Sequence, residues 1–405
     1  MASQHEGGLT ASDPVRIEPR LASLRSAIDS FIVMDVMSQA AAREAAGHRV
    51  IHMEVGQPGT PAPLLAREAA KRAIDEQALG YTLGLGSASL RAGIARHYRD
   101  TYDVEVAAER IVVTTGSSAG FVLAFLALFD QGARVALPEP GYPCYRQILK
   151  ALGQQPVPLV TGPQSRWMPT RDSIAALAAE SGGLDGVLIA SPSNPTGTML
   201  EPERLREIAE FTEQQRIWFI SDEIYHGLTY SQPAVTALAY SDEAIIINSF
   251  SKYFSMTGWR VGWMIVPERF VRTIERLAQN LYIAPPSISQ VAALAALDAR
   301  DELEANKVVY AANRALLLEA LPRFGFDKIV PADGAFYLYC DVSHLTDDSL
   351  AFASRMLDET GVAVTPGIDF DPVRGRNFIR FSYAGATADM CEAVDRLSRW
   401  HVLNN

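Results

Sequence analysis

Three cysteines, Cys144, Cys340 and Cys391, are all that the 405 residues hold, and no two of them form a CxxC pair. Neither a disulfide framework nor a zinc site is expected from so few, and free thiols in a reducing cytosol fit them. The seven histidines are scattered and no HExxH occurs, which argues against a metalloenzyme. No apolar stretch approaches the length of a membrane span. Met1 to Arg20 has no apolar h-region, so no signal peptide is expected and the cytoplasm is the expected address. Positive charge is also short. The formal net charge of -11 argues against a nucleic-acid surface. The glycine-rich run Leu79–Gly86 lacks the Gly-Lys-Ser/Thr that ends a phosphate loop, and no obvious strand precedes it. There are no internal repeats and no low-complexity tract.

Hydrophobic content of 48% with 20% charged residues is enough for a sizeable core, and the length allows two or three domains. Met1 to Pro19 reads as a mobile lead-in. Helical spacing follows from Arg20 to Ala46. A strand over Val50–Val55 opens into Gly56-Gln57-Pro58-Gly59-Thr60-Pro61-Ala62-Pro63, a stiff loop that is either a turn or a binding element. From Ile111 strands and helices alternate. Expected strands are Ile111–Thr115, Arg134–Leu137, Gln155–Val160, Val187–Ala190, Ile217–Ile220, Ala244–Ile247 and Val261–Val266. Such a βαβ series implies a mostly parallel sheet with helices on both faces. Later segments, Gly334–Tyr339, Val362–Val364 and Asn377–Ser382, read as strands of a smaller α+β unit. Ligands of parallel sheets bind outside the carboxyl ends of the strands. Ser117, Tyr142, Asn194, Asp222 and Lys252 each stand just after a strand end, so the pattern predicts that they converge on one rim.

The stretch Ser249-Phe250-Ser251-Lys252, followed at a distance by Arg260, carries the chemistry. A lysine amine can form a Schiff base with a carbonyl, and a hydroxyl with a guanidinium can hold a phosphate. Alone, this could equally be a solvated loop lysine with a surface arginine. Pyridoxal phosphate, with an aldehyde and a phosphate on one ring, needs all three groups. A lysine amine ordinarily titrates near ~10.4, so a base useful near neutrality must fall by about three pH units, roughly 4 kcal/mol. Burial among Tyr253, Phe254 and Trp259, beside Arg260, is expected to supply that. Asp222 can hold a proton on the ring nitrogen, or merely cap the residues after it. Asn194 and Tyr225 can donate to the ring hydroxyl, although Asn194 before Pro195 could be a plain turn residue. Tyr142, pinned between turn residues, is a rim aromatic or a ring-stacking platform. Gly116-Ser117-Ser118 at a helix start offers backbone amides to a phosphate, or simply packs a helix closely on the sheet. Arg380, in the apolar run Phe378-Ile379-Arg380-Phe381-Ser382, needs an anion or an exposed edge, and the cost of an unpaired buried charge favours a substrate carboxylate.

Ser193-Asn194-Pro195-Thr196-Gly197, Asp222-Glu223-Ile224-Tyr225, Ser249–Lys252 and Gly258-Trp259-Arg260-Val261-Gly262 together resemble the class I/II pyridoxal-phosphate aminotransferases of the aspartate aminotransferase fold. The match runs from Gly56 to Arg380. The resemblance implies an α/β large domain with a seven-stranded, mostly parallel sheet over residues 53–300. It implies a small α+β domain from both chain ends, 1–52 and 301–405. It implies a homodimer with shared sites, and a ping-pong exchange of an amino group between an L-amino acid and a 2-oxo acid. Lys252 would be the Schiff-base lysine, Asp222 the ring-nitrogen partner, and Asn194 and Tyr225 the ring-oxygen donors. Tyr142 would stack on the ring. Gly116, Ser117, Ser118, Ser249 and Arg260 would hold the phosphate, with Tyr81 reaching the partner subunit's phosphate. Gly56 and Arg380 would take the substrate carboxylate. No lysine stands at Ser117-Ser118-Ala119, where members selective for dicarboxylic acids carry one, which leaves room for neutral, aliphatic or aromatic side chains. A lyase or decarboxylase on the same fold would share these residues. A regulator's effector domain would need a fused basic DNA-binding unit, for which the lead-in is too short.

Overall fold

The computed structural model describes residues 22–180 and 182–400; the Met1–Pro19 lead-in lies outside them. The first long helix, Ile32–Ala45, starts later than the periodicity suggests. Its opening amides, Ile32 N and Val33 N, donate to the Asp369 carboxylate at 3.2 and 3.3 Å, and this distant cap fixes the start. Strand β1 (Ile51–His52) is also shorter than expected. Beyond it the carbonyls of Glu54 and Gly56 turn to side chains, Thr365 and Arg380 for one and Lys252 for the other, so no ladder continues.

The large sheet contains β2 (Ile111–Thr114), β3 (Arg134–Glu139), β4 (Gln155–Val160), β5 (Gly186–Ala190), β6 (Trp218–Asp222), β7 (Ile245–Ser249) and β8 (Gly262–Ile265). Their spatial order is β2-β8-β7-β6-β5-β3-β4. Every pairing is parallel except those of β8, which runs against both β7 and β2. Period-two alternation sends side chains to opposite faces. Val187, Ile189 and Ile246 join one helix-covered core. Leu188, Ile245 and Ile247 join a second core on the other face. Burial on both faces explains why these strands read as unbroken apolar runs.

The remaining strands are β9 (Lys328–Ile329), β10 (Tyr337–Asp341), β11 (Val362–Ala363), β12 (Thr365–Pro366) and β13 (Phe378–Ser382). Four form an antiparallel sheet in the order β12-β13-β10-β9. The fifth, β11, pairs in parallel with β1, joining the beginning of the chain to its end. β10 begins three residues later than expected because Gly334 N and Ala335 N donate to Gly197 O and Leu228 O instead of to a strand. A third apolar cluster, with Phe336, Leu338, Ile379 and Phe381, fills this smaller unit.

Candidate active site

All five residues expected on one rim, Ser117, Tyr142, Asn194, Asp222 and Lys252, line a single cavity at the carboxyl ends of the parallel strands. Gly56, Ser118, Tyr225, Arg260 and Arg380 line it too. Three expected site residues stand elsewhere. Gly116 lies just behind the wall, at the N-cap of the Ser117–Leu128 helix. Ser249 is buried one layer back, its hydroxyl bonded to Val261 O at 3.1 Å and Ser251 Oγ at 2.8 Å, and it is Ser251 that borders the cavity. Tyr81 is 84% exposed, away from this chain's own cavity.

Lys252 follows β7 and points its amine at Gly56 O, 2.6 Å away. Its amine is brought down to about 8, first by burial and then by the Arg380 and Arg260 charges. The aromatics expected around it are not its walls. Phe254 packs on Phe250 at 4.8 Å, and Tyr253 donates to Glu304 Oε1 at 2.6 Å, both away from the cavity. Asp222 closes β6. One carboxylate oxygen accepts from Ile224 N at 3.0 Å and the other from the Tyr145 hydroxyl. Burial pushes it up to about 6 despite these donors. Tyr142 meets Tyr145 edge to face at 5.1 Å, and Phe31 at 5.7 Å.

Arg380 is 3% exposed and has no carboxylate partner among the described residues. One terminal nitrogen donates to Asn194 Oδ1 at 2.7 Å; the other donates to Glu54 O and, at 3.0 Å, to Thr365 Oγ1. Its Nε is buried without an acceptor. The guanidinium lies over Tyr337 and Phe370, 4.3 and 4.7 Å from the ring centres. Guanidinium only donates, so the Asn194 amide must turn its oxygen to Arg380, leaving its NH₂ as a donor elsewhere. Tyr225 and Tyr337 share a hydroxyl bond of 2.7 Å. At Gly116 the backbone takes φ +78°, and a Cβ there would run into the Arg260 guanidinium. At Gly56 a Cβ would collide with the Tyr337 hydroxyl.

Sequence reasoning missed Tyr145, Tyr337, Thr365 and Glu54. Tyr145 stood three residues past Tyr142 at the start of the Pro143–Leu152 helix, a spacing that puts both on one face. Tyr337 and Thr365 carried no local signal, because they become site residues only when β10, β12 and β13 pair.

Buried cationic lysine and arginine, one deep carboxylate and a helix N-terminus with free amides form a donor set for a carbonyl, a ring nitrogen and two anions. The sequence profile described as aminotransferase class I and II matches residues 48–397. This chain belongs to that family. The valine–pyruvate aminotransferase of Mycobacterium tuberculosis is 47% identical over 382 residues, covering 93% of this chain and 98% of that protein. A solved aminotransferase from Mycobacterium tuberculosis superposes with a TM-score of 0.92 at 46% identity, covering 94% of this chain and 99% of that one. The aspartate aminotransferase of Thermus thermophilus, solved with maleate, gives 0.88 at 29% identity, covering 94% and 100%. The protein is therefore an aminotransferase that depends on pyridoxal phosphate, with amino and 2-oxo acids as substrates and the aspartate aminotransferase fold. The seven-stranded sheet and the cavity residues fit that cofactor. Gly116 clears space beside Arg260 at the helix start, and Lys252 shares the cavity with Asp222 and Tyr142. Among the described residues no helix is long and apolar enough to cross a membrane.

Proposed function

We propose that this aminotransferase takes its amino group from L-amino acids with neutral, apolar side chains and passes it to a small 2-oxo acid, with the residues of the cavity in the following roles. Pyridoxal phosphate supplies an electron sink that lets the substrate's α-proton leave. Lys252 anchors the cofactor covalently and carries that proton, a task suited to an amine titrating near 8. Asp222 holds the ring-nitrogen proton. Tyr142 covers the ring, and the Asn194 NH₂ with Tyr225 serves the ring oxygen. The Gly116-Ser117-Ser118 amides, the Ser249–Ser251 hydroxyl pair and Arg260 take the phosphate. Arg380, with Gly56, takes the substrate carboxylate.

The observation that carries the substrate class is the distribution of charge. Among the described residues of this chain the cavity's cations are Lys252, Arg260 and Arg380, and each has a role above. The remaining apolar wall is Phe31, Val33, Met34, Val55, Phe121 and Ile224, and the unassigned polar groups Gln57 and Thr257 bring no charge to answer a second carboxylate. The similarity to a valine–pyruvate aminotransferase supports the same reading. A homodimer is also part of the proposal. Exposed Tyr81, Leu83 and Ile283 crowd one end of the fold, where Ser287 Oγ ties the two loops through Gly80 O. We infer a cytoplasmic location, and a division of the chain into 53–300 and a small domain from both ends.

The test is an absorbance spectrum of the holoenzyme before and after addition of single amino acids. Valine, leucine or alanine should change the visible band at low concentration, and aspartate should not. A response to aspartate alone would refute the substrate class.

A further inference from the structure

Glu54 is the feature that the assigned roles leave unexplained. Its side chain is fully buried, yet among the described residues one group meets it: His52 Nδ1, 2.8 Å from Oε1. Its Oε2 has no partner among the described residues. A carboxylate so placed costs several kcal/mol unless a cation answers it. That cation is His52, which the bonded Glu54 carboxylate pushes up to about 9. The other face of the imidazole, Nε2, meets Glu44 Oε1 at 3.2 Å, on the helix whose first turn walls the cavity.

The main chain of the same residue does something different. The Glu54 carbonyl accepts from Arg380 Nη2 and from Thr365 Oγ1 at 2.7 Å. The segment has left its ladder here: the last strand-like bonds are Met53 N to Ala363 O and Ser382 N to Met53 O. The next carbonyl takes side-chain donors in place of a strand's backbone amide. Residue 54 is held at two points, its carbonyl by the Thr365 and Arg380 donors and its side chain by His52.

We propose that the His52–Glu54 pair is a positioning device for Arg380, aiming the Glu54 carbonyl so that the guanidinium is fixed for the substrate carboxylate. The inference rests on the reading of Arg380 as the carboxylate-binding group. His52 and Glu54 touch neither cofactor nor substrate; they act through Arg380. Two residues further on, Gly56 O holds the Lys252 amine, so the same short segment serves both cations of the reaction.

The test uses holoenzyme and an unreactive monocarboxylate, 3-methylbutanoate, titrated by calorimetry. In His52→Leu its Kd should rise about tenfold, the scale of one charge-assisted hydrogen bond, with the apoenzyme's affinity for pyridoxal phosphate unchanged. KM for the amino acid and for the 2-oxo acid should rise together while kcat holds, since both substrates present a carboxylate. His52→Asn, whose amide can donate from near the Nδ1 position, should restore most of the affinity. A merely structural pair would instead lower the active fraction, with KM unmoved or with cofactor and carboxylate affinity lost together, and either result overturns the proposal. Should His52→Leu fail to fold, Glu54→Met removes the buried anion along with its need for a partner, and must show the same rise in carboxylate Kd. Arg380→Ala separates the two levels. If it binds the acid as tightly as wild type, the reading of Arg380 falls and the inference with it. If it binds weakly while Glu54→Met and His52→Leu bind normally, only the inference falls.

Discussion

Burial shifts both Lys252 and Asp222, the two groups proposed to carry the reaction's protons, toward neutrality, to about 8 and about 6. A lysine held at about 8 is mostly neutral at pH 9, so apoenzyme should capture pyridoxal phosphate about tenfold faster at pH 9 than at pH 7 and level off there. An unshifted lysine would keep accelerating beyond pH 9, and stopped-flow absorbance distinguishes the two. Replacing Lys252 with Ala should abolish transamination and covalent cofactor attachment while circular dichroism shows an unchanged fold. Tyr145→Phe removes one of two donors from the Asp222 carboxylate, and hydrogen bonds to charge contribute roughly 1.5–3 kcal/mol. Cofactor affinity measured by reconstitution should fall ten- to a hundredfold; an unchanged Kd would mean that Tyr145 is only packing. The lysine and the aspartate were legible in the sequence because each follows an apolar run that could only be a buried strand. The tyrosine was not, since a second aromatic in a helix reads as core.

At the scale of elements, the turn between β2 and the Ser117–Leu128 helix combines a positive φ with a guanidinium at van der Waals contact. Gly116→Ala would strain the backbone and displace Arg260 at once. Phosphate affinity should drop sharply, seen as weakened cofactor binding, while β7 and its neighbours hold the fold. Ile246→Ala, by contrast, leaves the site groups in place and opens a void in a fully buried central strand. It should cost 2–5 kcal/mol of stability, on the order of other large-to-small core changes, in urea unfolding. The inner parallel strands β5, β6 and β7 were readable because both their faces are buried and no polar residue breaks their apolar runs. β1 and β10 were read too long because apolar alternation continues past the point where their amides and carbonyls find other partners. Side-chain hydrophobicity does not encode where a ladder ends.

In the whole molecule, the proposed homodimer, with Tyr81 reaching the partner subunit's phosphate, would make oligomeric state part of catalysis. The purified enzyme should sediment as a species of twice 44.1 kDa. Mixing inactive Lys252→Ala with inactive Tyr81→Ala subunits should recover activity by placing one intact site in each mixed pair; mixed dimers without activity would mean that Tyr81 does not serve the partner subunit's site. Nothing in composition could place Arg380 beside Lys252, because the sheet that carries it is built from distant segments. The pairing of β1 with β11 has a consequence for synthesis. As the chain leaves the ribosome, the strands from β2 to β8 are complete and can collapse while β1 waits for a partner more than three hundred residues behind it. The nascent chain would own the groups proposed to hold the cofactor before it owns Arg380, proposed to recognise the substrate. A polypeptide stalled before β11 could thus sequester cofactor without turning over, and only the final stretch of translation converts a cofactor-binding domain into an enzyme.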